Sequence, residues 1–500
     1  MTDKAPSLPA AGAPRGPGGS SGTHGPEDSH TPARLWVVVL AACAGQFLVV
    51  LDVSVVNVAL PSMRTALGMD AAGLQWVLNG YTLTFAGLML LGGRAADIFG
   101  RKRTFLTGLA LFTAASLFGG LAQEPWQLLA ARALQGTGAA VLAPATLTIL
   151  TTATPPGRAR TRAIATWSAV GAGGGAAGGL VGGVLTDALS WRWVLLINVP
   201  VGALVLLAAA VWVTERRDAT AGRRLDLPGA LLVTLGLSTL AWAIVRTEAA
   251  GWAAPSVLWP LAAGLAMLGA FVAVEARARA PLVPLRLLRN RAVSASNGAM
   301  FIFGGALFCM WYFVSLYMQN VLHYTPLQAG LGFIPQSLSI VIGSKGAPWL
   351  MARLGARTVA LCGVAVAAAG CLWQSGMHAG GGFLETVTGP GVLMALGSGM
   401  AGTPLASVAM SGVPHSEAGL VSGLFNTART MGGSLGLAVL STVAAARIGD
   451  GDSPETLAAG YGLAFRSAAL VLVVCAALIL FVLPRPAREV PPAPALHEDG

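Results

Sequence analysis

Apolar segments long enough to cross a membrane recur along almost the whole chain. Each is roughly 18–25 residues long, and a helix of that length spans a hydrocarbon core of ~30 Å. Charged residues make up only 10% of the chain and hydrophobic residues 55%, which a soluble globular domain does not show. The sequence therefore predicts an all-α membrane protein with fourteen transmembrane helices, centred near residues 47, 84, 113, 139, 173, 203, 236, 265, 308, 339, 367, 399, 434 and 473.

The 31 basic residues indicate which way the spans run. With the amino terminus in the cytoplasm, 23 of them fall in the tails and cytoplasmic loops and four in the opposite loops. Membrane proteins keep Lys and Arg on the cytoplasmic side, so both termini are predicted to be cytoplasmic, in the cell (plasma) membrane. The basic residues form short clusters rather than one stripe, so the net charge of +10 does not indicate nucleic-acid binding.

Two similar loops divide the chain into related halves. Gly93–Arg103 follows the second span and Pro348–Arg357 follows the tenth, with Gly100 matching Gly355. Transporters are often built from such repeats around a central site. We predict a disordered cytoplasmic tail over 1–34, a six-helix bundle over 35–214, an extra transmembrane hairpin of helices 7 and 8 over 215–285, a second six-helix bundle over 286–485 and a cytoplasmic tail over 486–500.

Five motifs occur in a fixed order: Leu51–Pro61, Gly93–Arg103, Ala131–Gly138, Gly171–Gly183 and Trp191–Gly202. In this order the chain resembles the fourteen-span drug:proton antiporters of the major facilitator superfamily. The resemblance implies a major facilitator fold, with two six-helix bundles and an inserted two-helix hairpin. It also implies proton-coupled export of small amphipathic compounds.

Asp52 is the one acidic residue deep in an apolar span, since every other acid lies in a tail, a loop or a span end. An acid in hydrocarbon is costly and usually functional. Counted from Pro61 and Pro125, Asp52 and Arg132 lie about 13 and 10 Å from the outer face, so that they could meet. The alternatives are a solvated Asp near a helix end and an Arg that snorkels to the surface.

A buried acid beside an arginine can link proton binding to a conformational switch. Burial favours the neutral acid and the arginine favours the carboxylate, and opening the protein on either side changes both effects. We therefore predict that Asp52 and Arg132 couple proton movement to transport.

The loop after the second span predicts a cytoplasmic gate. An acid among bases at a helix end can form a charge network that bridges neighbouring helices and breaks when the gate opens. The alternative is a loop whose basic residues only keep it on the cytoplasmic side of the membrane. The predicted gate residues are Gly93, Asp97, Gly100, Arg101 and Lys102.

Polar residues within the spans are candidates for the substrate cavity, and hydrogen bonding between helices is the alternative of equal weight. These candidates are Asn57, Gln135, Gln319, Gln336, Asn426 and Arg429. The fifth span contains a formal GxGxxG, but it follows no strand and lies at membrane depth, which argues against a dinucleotide site. Small residues let helices approach closely, and the predicted packing or hinge positions are Gly174, Gly178, Gly179, Gly182 and Gly183.

The sequence also indicates what powers the protein. It has no Gly-Lys pair, so it lacks a Walker A loop and is not expected to hydrolyse ATP. No enzyme activity, metal or cofactor is expected, and the proton gradient is the predicted energy source. We predict a monomeric exporter whose partners are a small-molecule substrate, protons and the lipid bilayer, with no nucleic acid. A proton-coupled metabolite symporter or a lipid flippase of the same fold, and a membrane sensor without transport, are the alternatives.

Overall fold

The computed structural model describes residues 32–155, 158–213, 226–278, 281–411, 413, 417–449 and 451–483. Within these ranges every regular element is helical. The helices are α1 (Pro32–Leu67), α2 (Ala71–Phe99), α3 (Arg101–Gly120), α4 (Pro125–Ala153), α5 (Arg158–Ala188), α6 (Arg192–Leu196), α7 (Asn198–Trp212), α8 (Leu227–Ala250), α9 (Pro255–Arg277), α10 (Leu285–Leu288), α11 (Arg291–Leu316), α12 (Pro326–Gly332), α13 (Ile334–Leu354), α14 (Ala356–Gln374), α15 (Gly389–Met410), α16 (Ala418–Ile448) and α17 (Pro454–Val482). Single π-helical turns extend α11 over Tyr317–Val321 and precede α15 over Leu384–Thr388.

The helices confirm the predicted fold class but not the number of spans. Among the described residues, 11 segments are long and apolar enough to cross a membrane. The number is 12 if α5, which bends by 42° between Gly175 and Ala177, is counted as one span. Each of the fourteen predicted centres falls inside a helix, but α3 and α13 are not among these segments. The number fourteen therefore stays a prediction.

Two boundaries differ from those expected. The membrane side that the charges predict to be cytoplasmic is called the inner side, and the opposite side the outer side. α1 continues through Pro61 and ends at Leu67, so Asp52 lies about 22 Å from its outer end rather than about 13 Å. Residues 32–34 are helical, which shortens the predicted tail. Residues 1–31, 214–225 and 484–500, which carry the rest of both tails and the start of the hairpin segment, lie outside the described residues.

The helices form two bundles with a hairpin docked across them. α1–α7 pack together, as do α11–α17, and α8 packs on α2 of the first bundle and α16 of the second. Gly87 of α2 meets Thr234 of α8, and the Thr442 hydroxyl of α16 donates to the Ile244 carbonyl of α8 at 3.2 Å. The α8–α9 hairpin therefore contacts both bundles.

The two similar loops share an unusual backbone. Gly100 separates α2 from α3 at φ 98° and ψ 145°, and Gly355 separates α13 from α14 at φ 80° and ψ 153°. Residues with a Cβ rarely adopt this conformation, so glycine lets each pair of helices join without an intervening loop. The sequence match between these loops reflects the same turn in both halves.

The outer halves of the bundles meet through α1 and α11. Pro61 has no N–H, so it leaves the Asn57 carbonyl without its helical donor. The Ser315 hydroxyl of α11 donates to that carbonyl at 2.8 Å, and the Gln319 amide donates to the neighbouring Val58 carbonyl at 2.9 Å. We call these contacts, together with those between α5 and α12, the outer closure.

Glycines of α5 form the second part of the outer closure. A Cβ at Gly183 would lie 2.6 Å from the Pro326 carbonyl oxygen of α12, and one at Gly330 would lie 2.2 Å from the Gly179 carbonyl oxygen. Only glycine permits these backbones to approach so closely. A separate face of α5, formed by Gly174, Gly178 and Gly182, packs on α1. The predicted packing positions therefore divide between two neighbours, one in each bundle.

The inner and outer halves of α1 and α16 differ in how much their side chains are exposed. Positions 46, 50, 53 and 57 of α1 share one face, and Gln46, Val50 and Val53 are partly exposed whereas Asn57 is buried. On α16, Asn426 and Arg429 are partly exposed while Ser434, further out, is buried. On both helices the outer positions are therefore buried and the inner positions partly exposed.

Candidate functional site

Asp52 lies at the centre of a buried polar cluster. It is 0% exposed, and three side chains donate to its carboxylate. Arg132 Nη1 lies 2.6 Å from Oδ2, and Oδ1 accepts from the Gln135 amide at 2.7 Å and the Asn198 amide at 3.1 Å. Ser116 completes the cluster, because its hydroxyl accepts from Gln135 at 2.7 Å. Every described partner of Asp52 is a donor, which is the arrangement that a charged carboxylate requires.

Arg132 is the hub that ties α4 to its neighbours. It is 1% exposed; besides Asp52, it donates from Nε to the Val77 carbonyl of α2 at 3.0 Å and from Nη1 to Gln135 at 2.7 Å. Its guanidinium carbon also lies 4.5 Å from the centre of the Tyr81 ring. The structure thus places Asp52 and Arg132 in contact, and Arg132 does not snorkel to the surface.

The cluster lies on a different side of α1 from the partly exposed face. At 100° per residue, Asp52 is about 100–140° around the α1 axis from Val53 and Asn57 of that face. Asp52 points into the first bundle, toward α4 and α7. The Asp52 cluster and the partly exposed face of α1 therefore lie on different flanks of the same helix.

The predicted gate residues bind helices within the first bundle. Arg101 of α3 donates to the Thr152 hydroxyl at the inner end of α4, and Lys102 donates to the Ala210 carbonyl of α7 at 2.7 Å. Gly100 forms the turn described above, and Gly93 lies near Pro144 of α4. The side chain of Asp97 lies outside the described part of the structure. The gate role of this loop stays a prediction.

The six cavity candidates occupy four kinds of place. Asn57 and Gln319 belong to the outer closure. Gln135 is part of the Asp52 cluster, and Gln336 is fully buried between α13 and α15 against Gly391, with neither amide atom hydrogen bonded. Asn426 and Arg429 lie together on α16 and are both partly exposed.

Sequence reasoning missed two members of the cluster, Asn198 and Ser116. Asn198 lies inside the quoted Trp191–Gly202 motif, where an amide within an apolar run was the available signal. Ser116 carried no comparable signal, because a serine inside a span commonly bonds its own helix, as its 2.8 Å bond to the Phe112 carbonyl shows.

Two further acids are buried although they lie at span ends. Asp226 caps α8 by accepting from the Gly229 N–H at 2.9 Å, and Glu275 near the end of α9 accepts from the Val283 N–H at 3.3 Å. The remaining oxygen of each carboxylate has no partner, and both approach the same side of Gly229. The charge of Arg94, near the inner end of α2, also acts on Glu275. The hairpin therefore places a carboxylate pair beside the predicted gate.

Comparisons with known proteins agree with this architecture. The family model described as Major Facilitator Superfamily matches residues 42–437. The chain belongs to the major facilitator superfamily. The resemblance that the five motifs indicated is thereby confirmed.

Relatives within the superfamily match along nearly the whole chain. The Cephamycin export protein CmcT of Amycolatopsis lactamdurans is 50% identical over 93% of this chain and 95% of its own length. The Puromycin resistance protein pur8 of Streptomyces alboniger is 40% identical over 92% of each chain. A crystal structure of a bacterial homolog to the human lysosomal transporter Spinster, in an inward-facing and unoccupied conformation, has a TM-score of 0.63 at 18% identity, covering 91% of this chain and 98% of that one. The structural match supports the fold, and the protein is an integral membrane transporter of this superfamily.

Proposed function

We propose that this major facilitator protein exports small amphipathic compounds, antibiotics among them, in exchange for protons, and that Asp52 is the proton-binding group. The observation that supports this proposal best is the buried ion pair of Asp52 and Arg132 at the junction of α1, α4 and α7. The export and resistance names of the relatives support the outward direction and the class of compound.

The pair responds to protonation in a way that can move α1. A proton on Asp52 removes its charge and makes one carboxyl oxygen a donor and a weaker acceptor, so the charge-assisted hydrogen bonds from the three donors around it become weaker. Arg132 cannot release its own proton and keeps only the Val77 carbonyl, the Gln135 oxygen and the Tyr81 ring. Protonation therefore weakens the tie between α1 and α4.

α1 also carries the outer closure. Asn57 lies five residues beyond Asp52, about 7.5 Å along the same helix, and its carbonyl binds Ser315 of the other bundle. A change in the packing of α1 at Asp52 is thereby transmitted to the contact that seals the outer side. The structure, with its outer side closed and Asp52 ion-paired, corresponds to the stage after proton release to the inside and before substrate binding.

The proposal is tested by proton movement in inverted membrane vesicles whose lumen has been acidified by respiration. On adding puromycin, or another compound from a panel of amphipathic antibiotics, an exporter that exchanges its cargo for protons carries the compound inward and lets protons out. The lumen therefore becomes less acidic, as a pH-sensitive dye reports. A symporter would move protons in the opposite direction, and a sensor would move none. Vesicles with an equal amount of inserted Asp52→Asn protein should give no response.

A further inference from the structure

Arg429 is a partly buried charged group within α16, separate from the ion pair of Asp52 and Arg132. It lies on α16, 11 residues from the inner end, which is about 16 Å. Its one described hydrogen bond runs from Nη2 to the Asn426 Oδ1 at 3.4 Å. Among the described residues no carboxylate pairs with it.

The packing of α16 shows where Arg429 points. Gly432 packs on α11, where the Phe301 carbonyl leaves no space for a Cβ. The hydroxyl of Ser434 is hydrogen bonded to that of Thr82 on α2. At 100° per residue, Arg429 lies on the arc of α16 that packs on α11, and Asn426 lies about 60° further round, between the faces that contact α11 and α2. Both side chains are partly exposed there.

The surroundings of Arg429 are amphipathic. Gly433 lies one turn further out on α16 and packs against the ring of Phe308 of α11. A Cβ at this glycine would come within 2.6 Å of that ring. Asn426 is itself held by its own donation to the Ser422 carbonyl at 3.3 Å, so its oxygen fixes the guanidinium from one side. The ring of Phe308 therefore lies about one helical turn outward of Arg429 along α16.

An arginine at this depth is costly without a counter-ion, because it cannot become neutral. Asp52 cannot serve, since it lies behind α1 with three donors of its own. We propose that Arg429 binds the carboxylate of an amphipathic anionic substrate, with Asn426 positioning the guanidinium and Phe308 contacting the apolar body. This inference rests on the proposed export function and names the class of substrate.

Two other cations at membrane depth provide a contrast. Lys345 of α13 is exposed on a face with Leu338 and Ile342, and Arg466 of α17 is exposed on a face with Leu470. These apolar neighbours are themselves exposed, as side chains in contact with lipid are. Arg466 is therefore a matched control for a change of charge that leaves Arg429 untouched.

The test compares binding of carboxylates with that of their methyl esters. The purified full-length protein in nanodiscs is titrated with benzylpenicillin and its methyl ester, and with further amphipathic carboxylates paired in the same way. Charge-assisted hydrogen bonds distinguish the two forms by about tenfold or more in affinity. We expect this preference in the wild type and in Arg466→Gln, a weaker preference in Arg429→Lys, which keeps the charge but not the fork of donors, and none in Arg429→Gln.

The outcomes separate this inference from the function on which it rests. If every ester binds as well as its acid in the wild type, or if Arg429→Gln keeps the preference, the inference is wrong, whatever the vesicle experiment shows. If the acids are preferred through Arg429 but no proton moves when they are added to vesicles, proton exchange is wrong and the carboxylate site stands. Retained binding of the esters by Arg429→Gln shows that this variant is folded.

Discussion

Removal of the Asp52 carboxylate should destabilise the protein more than removal of its partner. In Asp52→Ala the Arg132 guanidinium stays charged and buried, and only the Val77 carbonyl, the Gln135 oxygen and the Tyr81 ring remain to stabilise it. Breaking a buried ion pair from one side costs about 3–5 kcal/mol, and the remaining partners favour the lower end of that range.

The complementary variant has a milder outcome because a carboxyl group can become neutral. In Arg132→Met, Asp52 keeps its two amide donors, so the loss should be smaller. The double variant Asp52→Ala/Arg132→Met removes both charges and should be more stable than Asp52→Ala alone.

Reversible unfolding of the purified variants in bicelles, titrated with SDS, measures these differences. A double variant whose loss equals the sum of the two single losses would refute the reasoning, because it would show that the two residues do not stabilise each other. Each single variant is thus the control for the other.

Three further predictions concern the closure, the turns and the hairpin. Gly183→Ala would place a Cβ 2.6 Å from a backbone oxygen of α12 and so loosen the outer closure. A cysteine introduced in the outer half of α1 should then react faster with a thiol reagent added from outside. Gly173→Ala, whose Cβ would have no atom within 4 Å, should not change that rate. Gly100→Ala should lower the free energy of unfolding in the SDS titration by about 1–3 kcal/mol, because Gly100 has a φ of 98°. Gly346→Ala, at a helical position with no atom within 4 Å of the new Cβ, should raise it by about 0.5–1 kcal/mol. Glu275→Gln should leave stability unchanged or raised, because its amide can donate to the unpartnered oxygen of the neighbouring carboxylate, whereas Glu275→Ala should cost about 1–3 kcal/mol.

The length of the apolar segments was enough to predict an all-α membrane protein, because the bilayer sets the length of a span. The major facilitator fold was predicted from the resemblance carried by the five ordered motifs. Helix depth alone brought Asp52 and Arg132 to the same level of the membrane, although the end of α1 was placed six residues too early at Pro61. The error arose because Pro61 was taken as the end of the helix. In the structure this proline instead frees the Asn57 carbonyl for Ser315 of the other bundle.

Contacts between distant helices were beyond the reach of the sequence. The burial of Asp226 and Glu275 depends on how the hairpin docks on the bundles, which no local pattern specifies. The position of Gln135 also depends on how distant helices pack. Its polarity within a span suggested a place in the substrate cavity, but its amide donates to Asp52 in the buried cluster. Depth along a helix can be counted from the sequence, whereas the direction in which a side chain faces depends on all the neighbouring helices.

The central claim is that Asp52 carries the proton that drives export. Asp52→Asn preserves the shape of the side chain and cannot exchange a proton near neutral pH, and Asp70→Asn makes the same change at the exposed cap of α2, where asparagine caps equally well. The decisive measurement is accumulation of an exported antibiotic against its own gradient in proteoliposomes with an imposed proton gradient. We predict that Asp70→Asn accumulates it as the wild type does, and that Asp52→Asn only equilibrates it. Accumulation by Asp52→Asn to the wild-type level would contradict the account.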